Sequence, residues 1–541
     1  MSSPQPAAAP PPHPPLPVPQ AMAYMGAAAV LALAQGLGQG FVSANIPTIA
    51  GDLGVTTTQA SWLVAAYMIP RAALPLMLIK LRTQFGLRRF AEISIIIYVV
   101  MAFVSIWMSD LRSGVMVQAL SGIAAAPISS LAFMYMLEPL SQAWKMRLGL
   151  PMALLLLMSG PSLARVVSPA LIGDGGLQMI HLTALGMALV SLALVYLLPL
   201  RPVPRVRVIE PLDFVSFALI SAGFGGMIVS FVMGPIHQWT AEPWIGWLLA
   251  LSVAALAATV MIELNRKTPI LDIRWLTSPA ILHLTATLFL FRLILSEQSA
   301  GAPRMFQALG VGSEQMTTLF SVILMASLMG ALACVAWMKP AHVPRFHLVA
   351  LVLIMAGAWM DSGSTTATRP DDMIVSQALI GFAGILFMVP AMMAGLLAAL
   401  ARGPQYLLSF VIVFISTQSL GGVLGAGLFS SIITNRQAVH LQVLSEQLTA
   451  SDPQVVVAIT ARAAALAPQI ADAAQRRTQA VSALAREVSQ QATVLAYNDA
   501  YFLTFLIASL AAAVLLLHLL YNRLHALFAR QHPATGIETT S

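Results

Sequence analysis

Fourteen separate apolar stretches, each long enough to cross a bilayer, occupy the chain from Ala21 to Tyr521. A spanning helix needs about 20 predominantly apolar residues, and a soluble domain has no room to bury so many of them. The residue content agrees, with 58% hydrophobic and 9% charged residues, and so does a mean hydropathy of +0.82. The fold class is therefore an all-α polytopic membrane protein. Spans are predicted at 23–44, 59–79, 90–109, 113–136, 148–171, 178–199, 212–233, 243–262, 278–298, 317–338, 346–360, 373–399, 405–433 and 500–521.

The formal charge of +7 is a topology signal. With the N-terminus inside, cytoplasmic loops collect Lys80, Arg82, Arg88, Arg89, Lys145, Arg147, Arg201, Arg266, Lys339 and Arg402 among others, whereas the outer loops hold Arg112, Arg304 and Arg369. The positive-inside rule and an even number of spans place both termini in the cytoplasm, and no nucleic-acid partner is implied. The single cysteine, Cys334, excludes an intramolecular disulfide and a cysteine-based metal site. No metal site is predicted.

Residues 1–22, rich in Pro and Ala, lack the charged n-region of a signal peptide and read as a polyproline-like cytoplasmic tail. A second polar segment, 435–498, lies outside. Leu441, Leu444 and Leu448, then Val481, Leu484, Val488, Ala492 and Leu495, repeat at helical spacing. Pro453 cannot extend the preceding helix and Asp452 can cap the next one. This outer arm reads either as a lid or as a docking surface for a partner's helices.

Several motifs occur in a fixed order. Asn45-Ile46-Pro47-Thr48-Ile49-Ala50-Gly51-Asp52-Leu53-Gly54 precedes Gln59-Ala60-Ser61-Trp62; Gly122 and Pro127 lie in the fourth span, Gly160-Pro161 in the fifth. Ile380-Gly381-Phe382-Ala383 with Pro390, Gly421-Gly422-Val423-Leu424-Gly425, and Leu495-Ala496-Tyr497-Asn498-Asp499-Ala500-Tyr501 follow. Together they resemble the fourteen-helix drug:proton antiporter branch of the major facilitator superfamily, the EmrB/QacA type. The resemblance implies the major facilitator fold with a 6+2+6 arrangement: an N-terminal bundle at 23–199, two extra helices within 200–277, and a C-terminal bundle. That second bundle combines 278–434 with a last helix within 499–525, which follows the periplasmic arm; 526–541 is a cytoplasmic tail. It also implies rocking of the bundles around a small-molecule substrate near the bilayer midplane, location in a bacterial inner membrane among lipid, and a periplasmic membrane-fusion adaptor as partner.

The chain departs from that family at its charges. Gly38 stands where the first helix should carry an Asp, Gln118 where the fourth should carry an Arg, and Gln418 where the thirteenth should. Between spans two and three, Ile79 and Thr83 replace the expected Gly and Asp, while Gly86, Arg88 and Arg89 remain. Neither Gly nor Gln titrates near neutrality, so the usual coupling residues are absent. Proton coupling, the one cofactor-like requirement expected, needs other groups. An uncoupled facilitator and a non-transporting sensor or scaffold are the rival readings.

Three arginines lie inside predicted spans, Arg71, Arg165 and Arg292, with Glu297 nearby. Each arginine costs about 2.5–3.5 kcal/mol at the bilayer centre, so such residues either face a wet cavity or are satisfied by carbonyls or snorkelling. For Arg71, carbonyls freed at Pro70 are the natural partner. Loss of the first-helix acid alongside these cations favours anionic or neutral amphipathic solutes. Glu297 is a candidate for relocated proton coupling, and His283 for a proton shuttle. His181, His237 and His518 form no i, i+4 pair. No phosphate-binding loop or catalytic constellation occurs, which argues against an ATP-driven pump or an enzyme.

Overall fold

The computed structural model describes residues 15–201, 205–239, 241–449 and 451–531, and among these no strand occurs. The first four long helices are α1 (Val18–Ala44), α2 (Thr57–Phe85), α3 (Leu87–Val104) and α4 (Leu111–Leu137). Local chemistry sets their ends. Thr56 caps α2 by accepting from the Gln59 N–H at 3.2 Å while the Gln59 side chain accepts from the Thr56 N–H at 3.0 Å, a capping box. Asp110 and Ser113 do the same for α4. Gly86, with φ of +81°, joins α2 to α3 in a conformation that only glycine adopts freely.

The element Leu150–Leu197 is one long helical run interrupted by non-helical Gly175 and Gly176. Its two arms, α5 (150–174) and α6 (177–197), run antiparallel. Ser168 meets Asn45 at the outer end of α1 at 2.9 Å, while the Pro199 carbonyl accepts from Tyr24 at the inner end at 2.9 Å. The 13 apolar elements long enough to cross a membrane therefore make fourteen crossings. The remaining ones are α7 (Pro211–Met233), α8 (Pro243–Leu264), α9 (Pro279–Ile294), α10 (Thr317–Trp337), α11 (Val343–Asp361), α12 (Ile374–Arg402), α13 (Pro404–Gln447) and α14 (Ala473–Gln531). Helix α1 begins inside the stretch expected to be an irregular tail, because Pro19 falls in the first turn, where proline is tolerated, with Pro17 at the N-cap. Residues 1–14 and 532–541 lie outside the described residues.

Helices α1 to α6 pack together, as do α9 to α14, and the two bundles meet along α2–α13 and α5–α10. Small residues let the backbones close up. A Cβ on Gly160 of α5 would stand 2.5 Å from the Gly36 Cα of α1, and one on Gly122 would stand 2.2 Å from the Tyr67 carbonyl oxygen. The pair α7–α8 sits outside the bundles, and α7 contacts both α2 and α13.

A buried ionic cluster holds that pair to the N-terminal bundle. Lys80 of α2 donates to Asp213 of α7 at 2.7 Å and to the Thr268 carbonyl at 2.7 Å. Arg266 reaches Asp213 at 2.6 Å and Glu263 of α8 at 2.9 Å. Glu263 in turn accepts from Ser216 at 2.5 Å and from the Ile270 N–H at 2.6 Å. Glu210, outside the membrane, is held below its ordinary carboxylate range by hydrogen bonds from Thr268 and Arg266. Every charge is matched, which buried ions require. Arg88 pairs with Glu92 at 2.9 Å on the exposed side of α3, and Arg89 is exposed.

Beyond the membrane, α13 continues to Gln447, a short helix spans Pro453–Ala465, and α14 starts at Ala473. Asp452 caps the short helix by accepting from the Gln454 N–H at 2.8 Å. The arm is thus three helical pieces, two of them extensions of membrane helices. Arg436 and His440 of α13 both bind Asp499 of α14, at 2.5 and 2.7 Å.

Removing the central anion tests the ionic cluster. Asp213→Ala leaves Lys80 and Arg266 short of a partner, and the expected loss is about 3–5 kcal/mol. It should appear as a lowered thermal unfolding midpoint of the purified protein, with Asp213→Asn less affected.

Candidate functional site

The bundle interface is lined by cations that have no anion. Among the described residues, none of the ion pairs includes Arg71, Arg165 or Arg292. Arg71 of α2 donates to the Tyr67 hydroxyl at 3.2 Å, one turn back, and lies 5.8 Å from the centre of the same ring. The expected carbonyls freed at Pro70 are not its partner; the tyrosine is. Tyr67 and Arg71 both neighbour Tyr98 of α3. A Cβ on Gly38 of α1 would meet that Tyr98 hydroxyl at 3.8 Å. The position expected to carry an acid therefore faces a phenol, and holds no side chain.

Arg292 of α9 lies over the glycine face of α13. A Cβ on Gly422 would stand 2.8 Å from its Nη2, and one on Gly421 3.5 Å from its Cβ. Its Nε is buried without a hydrogen-bond partner, as are both amide atoms of Gln418 and the Ser416 hydroxyl on α13. Arg71 is close enough to Arg292 to act on its charge. Gly425 continues the glycine face against Ser296, whose hydroxyl donates to the Arg292 carbonyl at 3.0 Å. Gln118 is buried on α4 beside the helix-packing positions Gly122 and Pro127.

Arg165 of α5 marks the outer end of the interface. It reaches the Pro161 carbonyl at 3.4 Å and stacks 5.0 Å above the Phe320 ring of α10. There it lines a small pocket with Asn45, Ser168, Gln307, Ser313 and Met316, between residues of the two bundles. Arg304, hydrogen-bonded to Ser430 at 2.7 Å, is its charged neighbour. Two guanidinium pairs thus follow the interface, Arg71 with Arg292 and Arg165 with Arg304.

Three further titratable groups lie apart from the arginines. Glu297 pairs with none of the arginines and faces Asp361, a residue that sequence reasoning missed. His283 is exposed on α9, and its recorded bond is the Thr287 hydroxyl on its carbonyl, so nothing joins it to the arginine groups. His347 of α11, unremarked in the sequence, is buried against the Phe387 ring at 4.2 Å with its Nε2 unpartnered. No group of three or more His, Cys, Asp or Glu suited to a metal exists among the described residues.

This architecture defines a class: two six-helix bundles facing across a charged seam, with an added helix pair. Solved structures agree on the fold. The human organic anion transporter MFSD10 superposes with a TM-score of 0.53 at 12% identity, over 90% of this chain and 98% of that one. A bacterial homologue of the human drug peptide transporters gives 0.55 at 11% identity, over 93% and 99%. Curated sequences narrow it. The multidrug export protein EmrB of Escherichia coli K12 is 21% identical over 477 residues, covering 85% of this chain and 88% of its own. The fatty acid resistance protein FarB of Neisseria gonorrhoeae is 25% identical over 238 residues, covering 42% and 45%. No protein-family profile matches the chain. Over most of its length the chain is similar to EmrB-type transporters of the major facilitator superfamily, and its fourteen crossings make it a multi-pass membrane protein.

Two glycines should separate packing from site chemistry. In Gly160→Val the obstacle is the backbone of Gly36, which cannot yield, so the variant is expected to lose stability by about 1–3 kcal/mol or more. In Gly422→Val the obstacle is the far end of Arg292, which can swing aside. Near-normal thermal stability with impaired transport is expected there, checked by unfolding and efflux measurements on the same preparations.

Proposed function

We propose that this chain is a secondary-active exporter of small amphipathic compounds, with a preference for organic anions, working by alternating access between its two bundles. The observation that carries the preference is a bundle interface with Arg71, Arg292 and Arg165 and no acid among their partners. A guanidinium without a carboxylate presents a planar fork of donors to carboxylates and phosphates. Gly38 removes the negative charge that would attract a lipophilic cation. EmrB and FarB, by their names, export drugs and confer fatty acid resistance, and both substrate groups are amphipathic. We assign transport and no catalytic step. The outer arm, with exposed Val439, Leu441, Val443, Val456, Val457 and Val481, supports a periplasmic adaptor as partner.

The test is efflux from a pump-deficient bacterium expressing the full chain. Cells are loaded with a medium-chain fatty acid or a lipophilic cation, with and without a protonophore. Uncoupler-sensitive export of the acid is expected. Arg71→Gln, Arg165→Gln and Arg292→Gln should each reduce it, by about tenfold where a charge-assisted contact worth roughly 1.4 kcal/mol is lost. Export of the cation alone would refute the anion preference. Uncoupler-insensitive export would favour a facilitator, and binding without movement of either probe would favour a sensor.

A further inference from the structure

Two acids inside the C-terminal bundle are used by none of the interactions described so far. Helix α9 ends at Ile294, residues Glu297–Gly301 form a π-helical turn, and a short helix Ala302–Ala308 follows. A π turn adds one residue to the helical repeat and recurs at functional sites. Gly301 permits it here, since a Cβ there would stand 2.8 Å from the Tyr501 ring. Glu297 is brought against Asp361, the last residue of α11, and near Thr504 of α14. Glu297 is 0% exposed and Asp361 2%.

The two acids are supported unequally. Gln377 of α12 donates its Nε2 to the Asp361 Oδ2 at 2.6 Å. Glu297 receives no donor on either carboxyl oxygen, and the Gln377 Oε1 is also without one. Gln377 is itself 0% exposed, so an unsatisfied, fully buried amide adjoins the acid pair. The Thr504 hydroxyl donates to the Ala500 carbonyl at 3.1 Å. Acceptors therefore outnumber donors, and the missing element is a hydrogen.

No other charge replaces it. Besides Asp361, the ionisable neighbours are Tyr501 and Tyr497 of α14, and the Tyr501 hydroxyl is directed to the Met305 sulfur at 3.8 Å. Helix α12 contributes the neutral Ser376 and Gln377 around Asp361. Helix α13 presents Phe429, and α10 presents Phe320 and Ile323 in the apolar layer above. Arg292, on the same helix as Glu297, points to the α13 glycines. Among the described residues, no Lys, Arg or His forms an ion pair with either acid.

Two adjacent carboxylates buried without a cation repel each other and lack solvation. One proton converts the contact into an O–H···O⁻ hydrogen bond shared by the pair. We propose that Glu297 and Asp361 form the proton-binding site of this transporter, replacing the absent acid at Gly38. Uptake joins H⁺ to one carboxylate oxygen, and release breaks that O–H bond. No other covalent bond changes, and the charge of the pair alters by one. The loaded pair is stable in the occluded apolar bundle, whereas the unloaded pair requires water. Rocking of the bundles, which admits or excludes that water, is thereby linked to the proton. The site lies in the outer half of the bundle beneath Tyr497, Tyr501 and Phe429, so protons enter from the periplasmic side.

This inference rests on the reading of the chain as a secondary transporter, but its first test does not require transport. Infrared difference spectra of the purified full chain in lipid should show, at neutral pH, the C=O stretch of a protonated buried carboxylic acid. E297Q and D361N should each abolish it. Q377L, which keeps both acids and removes the Asp361 donor, should shift it. The absence of such a band in the wild type, or its survival in both acid variants, would overturn the proposal. If E297Q fails to fold, D361N and Q377L carry the test. The second arm follows a medium-chain fatty acid in membrane vesicles under an imposed pH gradient. Residual transport by E297Q and D361N should become independent of pH, and a preserved gradient response in both would overturn the proposal. If the wild type moves no fatty acid, the substrate reading fails while the infrared result still decides the acid pair.

Discussion

Hydrocarbon cannot solvate a charge, so every ionised group within the membrane must be satisfied by the protein, by a ligand or by a proton. That constraint sorts the charges of this chain into three groups. Lys80, Arg266, Asp213 and Glu263 pair with one another within 3.0 Å contacts. Arg71, Arg165 and Arg292 have only a phenol, a carbonyl, an aromatic face and a glycine surface. Glu297 and Asp361 have each other. The charges of the first group are paired, while the second and third are each short of a partner of opposite kind. An anionic solute would meet the deficit of one, and a proton that of the other.

The helix pair α7–α8 is fastened differently at its two ends. At the inner end, Asp213 joins it to Lys80 of α2 through a buried ion pair. At the outer end, Trp239 donates to Ser431 of α13 at 2.8 Å, and a Cβ on Gly427 would stand 2.3 Å from the Phe231 carbonyl oxygen. Breaking the ionic end would strand charges in an apolar medium, whereas the outer end is one hydrogen bond and a van der Waals surface. The pair therefore belongs energetically with the N-terminal bundle. Its contact with α13 is a close van der Waals face, with Gly427 packed against Phe231.

Much of this was legible in the sequence. Apolar length located the crossings, the gap between the spans 148–171 and 178–199 fell on the α5–α6 turn, and Asp452 capped the helix it was expected to cap. Gly38, Gln118 and Gln418 identified the missing charges. The partners of the remaining charges were not legible, because they lie on helices distant in sequence. Lys80 and Arg266 read as loop cations marking topology, and their pairing with Asp213 and Glu263 appears only when α2, α7 and α8 are packed. Asp361 read as the end of a span. Its meeting with Glu297 depends on a π turn, which no hydrophobic periodicity announces. Arg71 followed the same logic: Pro70 suggested free carbonyls, yet Tyr67, one turn away on the same face, is the acceptor it meets.

The exchange of roles between bundles gives the charge pattern its coherence. An acid at position 38 of α1 would lie close to Tyr98, the phenol that neighbours Arg71. On the proposed reading, its negative charge there would oppose an anionic substrate drawn to Arg71. Gly38 removes that charge and leaves Arg71 available. The acids that remain are enclosed in the C-terminal bundle, behind α9 and away from the arginine seam, where an anion at the interface cannot be repelled at contact distance. On the proposed reading, separating the proton from the substrate by one helix would let both be bound without direct exchange of one for the other. Communication then falls to α9, which carries Arg292 toward α13 and, one π turn later, Glu297 toward α11. A displacement of that helix would alter both sites together, so the break in α9 is where substrate and proton can be made to depend on each other.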